Sequence, residues 1–116
     1  MRYSNSGMWG KAIYFAEKSS YSDNYAFKTK EGYRQMFLAD VILGDCVNLN
    51  TDKTLITPPC VKGTSKMYDS VAGVTKDTNV FMVYANKKAY PSYLITYENP
   101  LSQPQEIAAN PVKGLI

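Results

Sequence analysis

The stretch "GKAIYFAEKSSYSDNY", residues 10–25, is the most strongly patterned part of the chain. Residues 12–16 ("AIYFA") have the β-branched and aromatic content of a short buried strand. Residues 19–25 ("SSYSDNY") predict a turn that opens a helix, with Ser20 or Ser22 as its cap and Asp23 in its first turn. Ring faces and hydroxyls in this density can also form the wall of a binding site. From these residues alone, both interpretations stay open.

Three further segments predict strands, and few helices are expected. Residues 35–43 ("QMFLADVIL") are apolar on both faces except at Asp40, which we expect to face solvent or a polar partner. Residues 79–84 ("NVFMVY") and 93–98 ("YLITYE") are joined by a short connection, which favours an antiparallel pair. The pattern predicts one β-rich α+β domain over residues 1–98. Residues 99–116, with three prolines, are predicted to be a tail or linker.

Composition narrows the functional classes. The chain has 116 residues and a net charge of +3, with Lys and Arg scattered along it, which argues against a dedicated nucleic-acid binder. No apolar run approaches the ~20 residues that span a bilayer, so no membrane association is expected. Cys46 and Cys60 are predicted to be reduced thiols of an intracellular protein of the nucleus or cytoplasm.

The chain contains no histidine. This excludes histidine-based acid/base chemistry, histidine metal ligands and Ser-His or Cys-His nucleophiles carried by this chain alone. Two separated cysteines do not form a zinc-binding pair, so no metal site is predicted.

Six segments, in their order along the chain, carry a resemblance to a known family. They are "MWGKAIYFA", "SSYSDNY", "MFLADVILG", "YDSVAG", "NVFMVY" and "AYPSYLITY". Over residues 2–97 the chain resembles the carboxy-terminal half of the poly(ADP-ribose) polymerase catalytic domain, and most of all its tankyrase-like and mono-ADP-ribosylating branches. The resemblance implies an ADP-ribosyltransferase fold, NAD as substrate without a metal, and transfer of ADP-ribose to a protein acceptor with release of nicotinamide.

The resemblance also implies roles for individual residues. Tyr14 matches the tyrosine of the family's His-Tyr-Glu signature, Ser22 the serine that binds the carboxamide, and Tyr25 the tyrosine that stacks on the nicotinamide ring. The other NAD-binding positions that it implies are Gly10, Phe15, Ala16 and, in the loop over the adenosine side, Arg2. Without the resemblance, Tyr14 and Phe15 would be core residues, Ser22 a cap and Tyr25 a packing residue.

Several departures from the family pattern bear on activity. Val80 stands where the catalytic glutamate of polymerising members lies, Tyr21 where they carry a lysine, and Ala12 where the family has a glycine. The strand with the family's His-Gly pair is expected to precede this sequence, so we expect no NAD hydrolysis by the chain alone. These differences favour a mono-ADP-ribosyltransferase. The alternatives are an inactive interaction or assembly module, acting through a partner chain, and a tyrosine-rich nucleic-acid binder.

Overall fold

The computed structural model describes residues 7–75 and 78–98, and the backbone of residues 114–115. Its strands are β1 Ile13–Ala16, β2 Phe27–Lys28, β3 Arg34–Val41, β4 Cys46–Asn48, β5 Ser70–Val74, β6 Asn79–Val83, β7 Ala89–Tyr97 and β8 Gly114–Leu115. The helical elements are one short α-helix, α1 Ser19–Ser22, and the 3₁₀ helices Asp23–Tyr25 and Asn86–Lys88. The prediction of a β-rich α+β fold with few helices is confirmed.

The strands form one sheet in the order β2-β3-β8-β1-β6-β5-β4, and β7 pairs with β3. The predicted pairing of the strands at 79–84 and 93–98 is wrong, because β1 and β5 occupy the two edges of β6. After β6, the 3₁₀ helix Asn86–Lys88 leads the chain to β3 instead, with which β7 pairs antiparallel over its whole length. A short connection therefore joins strands that are not neighbours.

The core consists of two clusters on opposite faces of β1. Ile13 and Phe15 pack on one face with Ala39 and Val83. The cluster on the other face, called here the Trp9 cluster, comprises Trp9, Ala12, Ala16, Val71, Val80 and Met82. Because successive side chains of a strand point to opposite faces, burial of β1 on both faces follows from its apolar sequence. The predicted buried strand is confirmed.

Strand β3 is less buried than its composition predicts. Among its residues only Ala39 is buried, and Phe37 is exposed. Asp40 is exposed and accepts a hydrogen bond from the Ser92 hydroxyl at 2.7 Å, as expected. The prediction that β3 is covered on both faces does not hold for the part of the chain that the structure describes.

Trp9, which precedes the predicted strand, is a central core residue. Its indole nitrogen donates to the Leu49 carbonyl at 3.1 Å. Its ring lies directly over Gly73 in β5, where a Cβ would overlap it. The glycine of "YDSVAG" is therefore needed to make room for the indole.

Both cysteines are free, as predicted. No helix in the described ranges is long and apolar enough to cross a membrane. Arg2 and most of the predicted tail, residues 99–116, lie outside the described residues.

Candidate functional site

Tyr14 lies on the side of β1 that faces the Trp9 cluster, and its hydroxyl is fully engaged. It donates to the Gly10 carbonyl at 2.7 Å and accepts from the Trp9 backbone N–H at 2.9 Å. Burial raises the pKa of Tyr14, although the bond from Trp9 acts in the opposite direction. The phenol therefore stays protonated at neutral pH, and the part of Tyr14 that remains for a ligand is its ring.

The turn before β1 fixes the position of this ring. Gly10 has φ +80°, in the left-handed region, and a Cβ on it would overlap the Leu55 backbone carbonyl. The Gly10 carbonyl thus accepts the hydrogen bond from the Tyr14 hydroxyl, and it does so in a backbone conformation that residues other than glycine rarely adopt. The Tyr84 hydroxyl reinforces the turn by donating to the Trp9 carbonyl at 2.8 Å. Trp9 and Tyr84 were not predicted as residues that position the site, although they lie in two of the segments that carry the resemblance, "MWGKAIYFA" and "NVFMVY".

Ser22 is completely buried, and its Oγ has no hydrogen-bond partner. Among the residues that the structure describes, Ser22 Oγ is the only buried side-chain nitrogen or oxygen without a hydrogen-bond partner. Ser22 occupies the predicted N-cap position, that of the 3₁₀ helix Asp23–Tyr25 with Asp23 in the first turn, but its side chain makes no capping hydrogen bond. In α1, whose N-cap is Lys18, it is the last residue. A buried hydroxyl without a partner costs about 1–3 kcal/mol, and a water molecule or a bound group would offset this cost by completing its hydrogen bonding.

Tyr21 and Tyr25 continue the aromatic surface beyond Tyr14. Their ring centroids lie 5.8 Å apart with an interplanar angle of 48°. Tyr21 packs against the Trp9 cluster, as Tyr14 does, and its pKa is raised by burial, then by Tyr25 and Tyr14 nearby. Tyr25 is 58% exposed. We name Tyr14, Tyr21, Ser22 and Tyr25 the tyrosine wall; Tyr21, which the sequence analysis treated only as a departure, interacts with both of the predicted rings.

Val80 lies within the apolar part of this region. It is the Cα partner of Ala16 across the β1–β6 pair and is 1% exposed. Both residues belong to the Trp9 cluster, against which Tyr14 and Tyr21 pack. The position that the resemblance assigns to the family glutamate is thus a buried aliphatic contact.

The remaining predicted site residues divide into two groups. Ala16 is fully buried in the Trp9 cluster, under the tyrosine wall, and so is Ala12, which was noted only as a departure from the family pattern. Phe15 is also fully buried, but on the opposite face of β1 with Ile13 and Val83. The structure therefore does not bring Phe15 to the wall, because neighbouring residues of a strand point in opposite directions.

This geometry suits a flat, polar aromatic ligand. An exposed ring such as that of Tyr25 can stack on it, with a contribution of about 1–3 kcal/mol per ring. The Ser22 hydroxyl can donate one hydrogen bond and accept another, as a carboxamide requires, and because its Oγ is fully buried a ligand reaches it only when the residues that cover it move. In the described ranges, no group of three or more Cys, Asp or Glu side chains is placed to hold a metal ion.

Comparison with known proteins gives a family for the chain. The model of the poly(ADP-ribose) polymerase catalytic domain matches residues 3–79. The chain is 36% identical over 97 residues to the mouse protein mono-ADP-ribosyltransferase PARP12, which covers 83% of the chain and 13% of that protein. It is 33% identical over 100 residues to mouse PARP10, with 84% and 10% covered. The chain therefore spans only a small part of the length of these relatives.

Proposed function

The chain belongs to the poly(ADP-ribose) polymerase catalytic domain family, and we propose that its tyrosine wall binds the nicotinamide end of NAD in a mono-ADP-ribosyltransferase. The family uses NAD as its substrate. The observation that carries the proposal for this chain is the buried Ser22 Oγ without a partner, at the position that the family resemblance assigns to the carboxamide.

Three members of the wall have separate tasks in this proposal. Tyr25 stacks on the nicotinamide ring, whose positive charge in NAD adds a cation–π attraction. Ser22 forms a hydrogen bond with the carboxamide, and this bond fixes the orientation of the nicotinamide ring. Tyr14 supports the ring from the β1 side, since its hydroxyl is committed to the turn at Gly10.

The reaction proposed is cleavage of the bond between nicotinamide and ribose, with ADP-ribose passing to a protein side chain. Cleavage of such a bond passes through a transition state with positive charge on the sugar. Val80 cannot accept a hydrogen bond from a ribose hydroxyl or stabilise that charge, so extension of an ADP-ribose chain is not expected. We propose transfer of single units. The relatives named mono-ADP-ribosyltransferases support this choice.

Tagged NAD tests the proposed function in the full-length protein that carries these residues. We expect labelled protein that bears single ADP-ribose units, because a buried valine replaces the carboxylate that elongation requires. Gel mobility and mass spectrometry of the modified peptides measure the number of units. Ladders of polymer would contradict the mono-transferase assignment, and an absence of labelling would favour the alternative of an inactive interaction module, with which the buried, apolar Val80 is also compatible.

A further inference from the structure

Asp23 links the tyrosine wall to strands β3 and β7. One of its carboxylate oxygens accepts a hydrogen bond from the Tyr97 hydroxyl. The other forms an ion pair with an Arg34 guanidinium nitrogen at 3.2 Å, and the same nitrogen donates to the Asp23 main-chain carbonyl at 3.1 Å. Both side chains of the ion pair are mostly shielded from solvent, which makes this contact stronger than an exposed ion pair.

The two groups that hold Asp23 come from directly opposed positions. Arg34 in β3 and Tyr97 in β7 are Cα partners, so their side chains lie side by side on one face of the sheet. Together they bind the carboxylate and the backbone of a single residue. This arrangement fixes both the position and the orientation of the peptide that follows Ser22.

The part of the wall that follows β1, residues 19–25, has few other polar contacts to fix it. Helix α1 has four residues, no side-chain cap, and no charged residue that complements its dipole at either end. The Ser22 hydroxyl itself makes no hydrogen bond, and Tyr25 is exposed. A short helix of this kind is marginal without tertiary contacts.

We propose that Asp23 is a positioning residue that holds Ser22 and Tyr25 in place for nicotinamide, through Arg34 and Tyr97. This inference rests on the proposed function. Sequence reasoning placed Asp23 only in the first turn of a helix, because Arg34 and Tyr97 are distant from it in the sequence and nothing local to Asp23 indicates them.

The state of the Tyr97 phenol agrees with this role. Burial, and then the hydrogen bond and charge of Asp23, raise the pKa of Tyr97 above its ordinary value, while Arg34 acts in the opposite direction. The phenol therefore keeps its proton and remains a donor to Asp23 at neutral and mildly alkaline pH.

Three variants of the chain test the proposal: Asp23→Asn, Asp23→Ala and Tyr97→Phe. The control is Asp40→Asn. Asp40 lies in β3 and accepts a hydrogen bond from Ser92 in β7, but it is exposed and lies near the opposite end of β3 from Arg34. Nicotinamide affinity is measured by titration, and amide hydrogen exchange is followed separately in residues 19–26 and in β1 and β6.

We expect Asp23→Ala to weaken nicotinamide binding by about tenfold, the scale of a lost hydrogen bond to a charged group. Asp23→Asn and Tyr97→Phe should lose less, and adding Tyr97→Phe to Asp23→Ala should cause no further loss because both remove the same contact. Exchange should accelerate in residues 19–26 and stay unchanged in β1 and β6, and Asp40→Asn should behave as the wild type.

Unchanged exchange in residues 19–26 of the Asp23 variants would overturn the positioning role, whether or not nicotinamide binds. The same conclusion would follow if exchange accelerated equally throughout the sheet, or if affinity survived in Asp23→Ala. Failure of the wild-type chain to bind nicotinamide would instead overturn the proposed function, which the exchange measurement does not depend on.

Discussion

Replacing Val80 by glutamate is expected to cost about 3–5 kcal/mol of unfolding free energy at neutral pH, the scale of an uncompensated buried charge. Val80 is 1% exposed, and its surroundings are the apolar side chains of the Trp9 cluster. Restoring the family carboxylate at this position should therefore destabilise the fold before it can change the reaction. Urea unfolding of the purified variant measures the loss.

The loss should depend on pH. Burial raises the pKa of a glutamate above its usual value, so between the two values the folded variant holds a proton that the unfolded chain has released. The stability of Val80→Glu should therefore fall as pH rises through this interval and recover in acid, relative to the wild type.

The matched control is Val74→Glu, since Val74 lies on the neighbouring strand β5 and is 72% exposed. It should change stability by no more than about 0.5 kcal/mol. If Val80→Glu proved as stable as this control at neutral pH, the position would be open to water or to a polar partner, and its assignment to the apolar core would be wrong.

Gly10→Ala is the second substitution with a large expected effect, a loss of about 2–5 kcal/mol from left-handed backbone strain and overpacking together. The added Cβ would overlap the Leu55 carbonyl, and any shift of the turn would move the carbonyl that accepts the Tyr14 hydroxyl. Thermal or urea unfolding measures the change.

Gly63→Ala separates the two contributions. Gly63 has φ +79°, nearly that of Gly10, but no atom lies within 4 Å of the position its Cβ would occupy. Gly63→Ala should therefore lose only the unfolding free energy that corresponds to left-handed backbone strain, about 1–2 kcal/mol. Equal losses in the two variants would show that the turn at Gly10 tolerates a side chain and does not position Tyr14.

The features predicted correctly are those that depend on residues close together in the sequence. The strand at Ile13–Ala16 follows from β-branched and aromatic content, and the exposure of Asp40 follows from one charge in an apolar run. The pairing of β7 was missed, because it depends on which edges of β6 other strands have already taken.

The site was predicted unevenly for the same reason. The resemblance selected Tyr14, Ser22 and Tyr25 in one stretch of sequence. The structure packs Tyr14 and Tyr21 against the Trp9 cluster, places the Tyr25 ring beside that of Tyr21, and buries Ser22 completely. The resemblance also selected Phe15, which the alternation of a strand directs to the other face. The N-cap position of Ser22 follows from residue type and is observed at the 3₁₀ helix Asp23–Tyr25, but the hydroxyl makes no capping hydrogen bond.

The most direct test of the ligand role of the tyrosine wall compares two fully buried serines in one experiment. Ser70 donates from its Oγ to the Leu43 carbonyl at 2.7 Å, whereas Ser22 Oγ has no partner. Thermal unfolding of Ser22→Ala and Ser70→Ala is measured with and without nicotinamide. Ser70→Ala should be destabilised by about 1–3 kcal/mol and still be stabilised by nicotinamide, because it removes a hydrogen bond to the half-buried Leu43 but lies outside the wall. Ser22→Ala should be as stable as the wild type or up to about 1 kcal/mol more stable, and should lose the stabilisation by nicotinamide. A loss of stability in Ser22→Ala equal to that in Ser70→Ala, with the nicotinamide effect intact, would show that Ser22 is an ordinary core residue and that the wall does not bind this ligand.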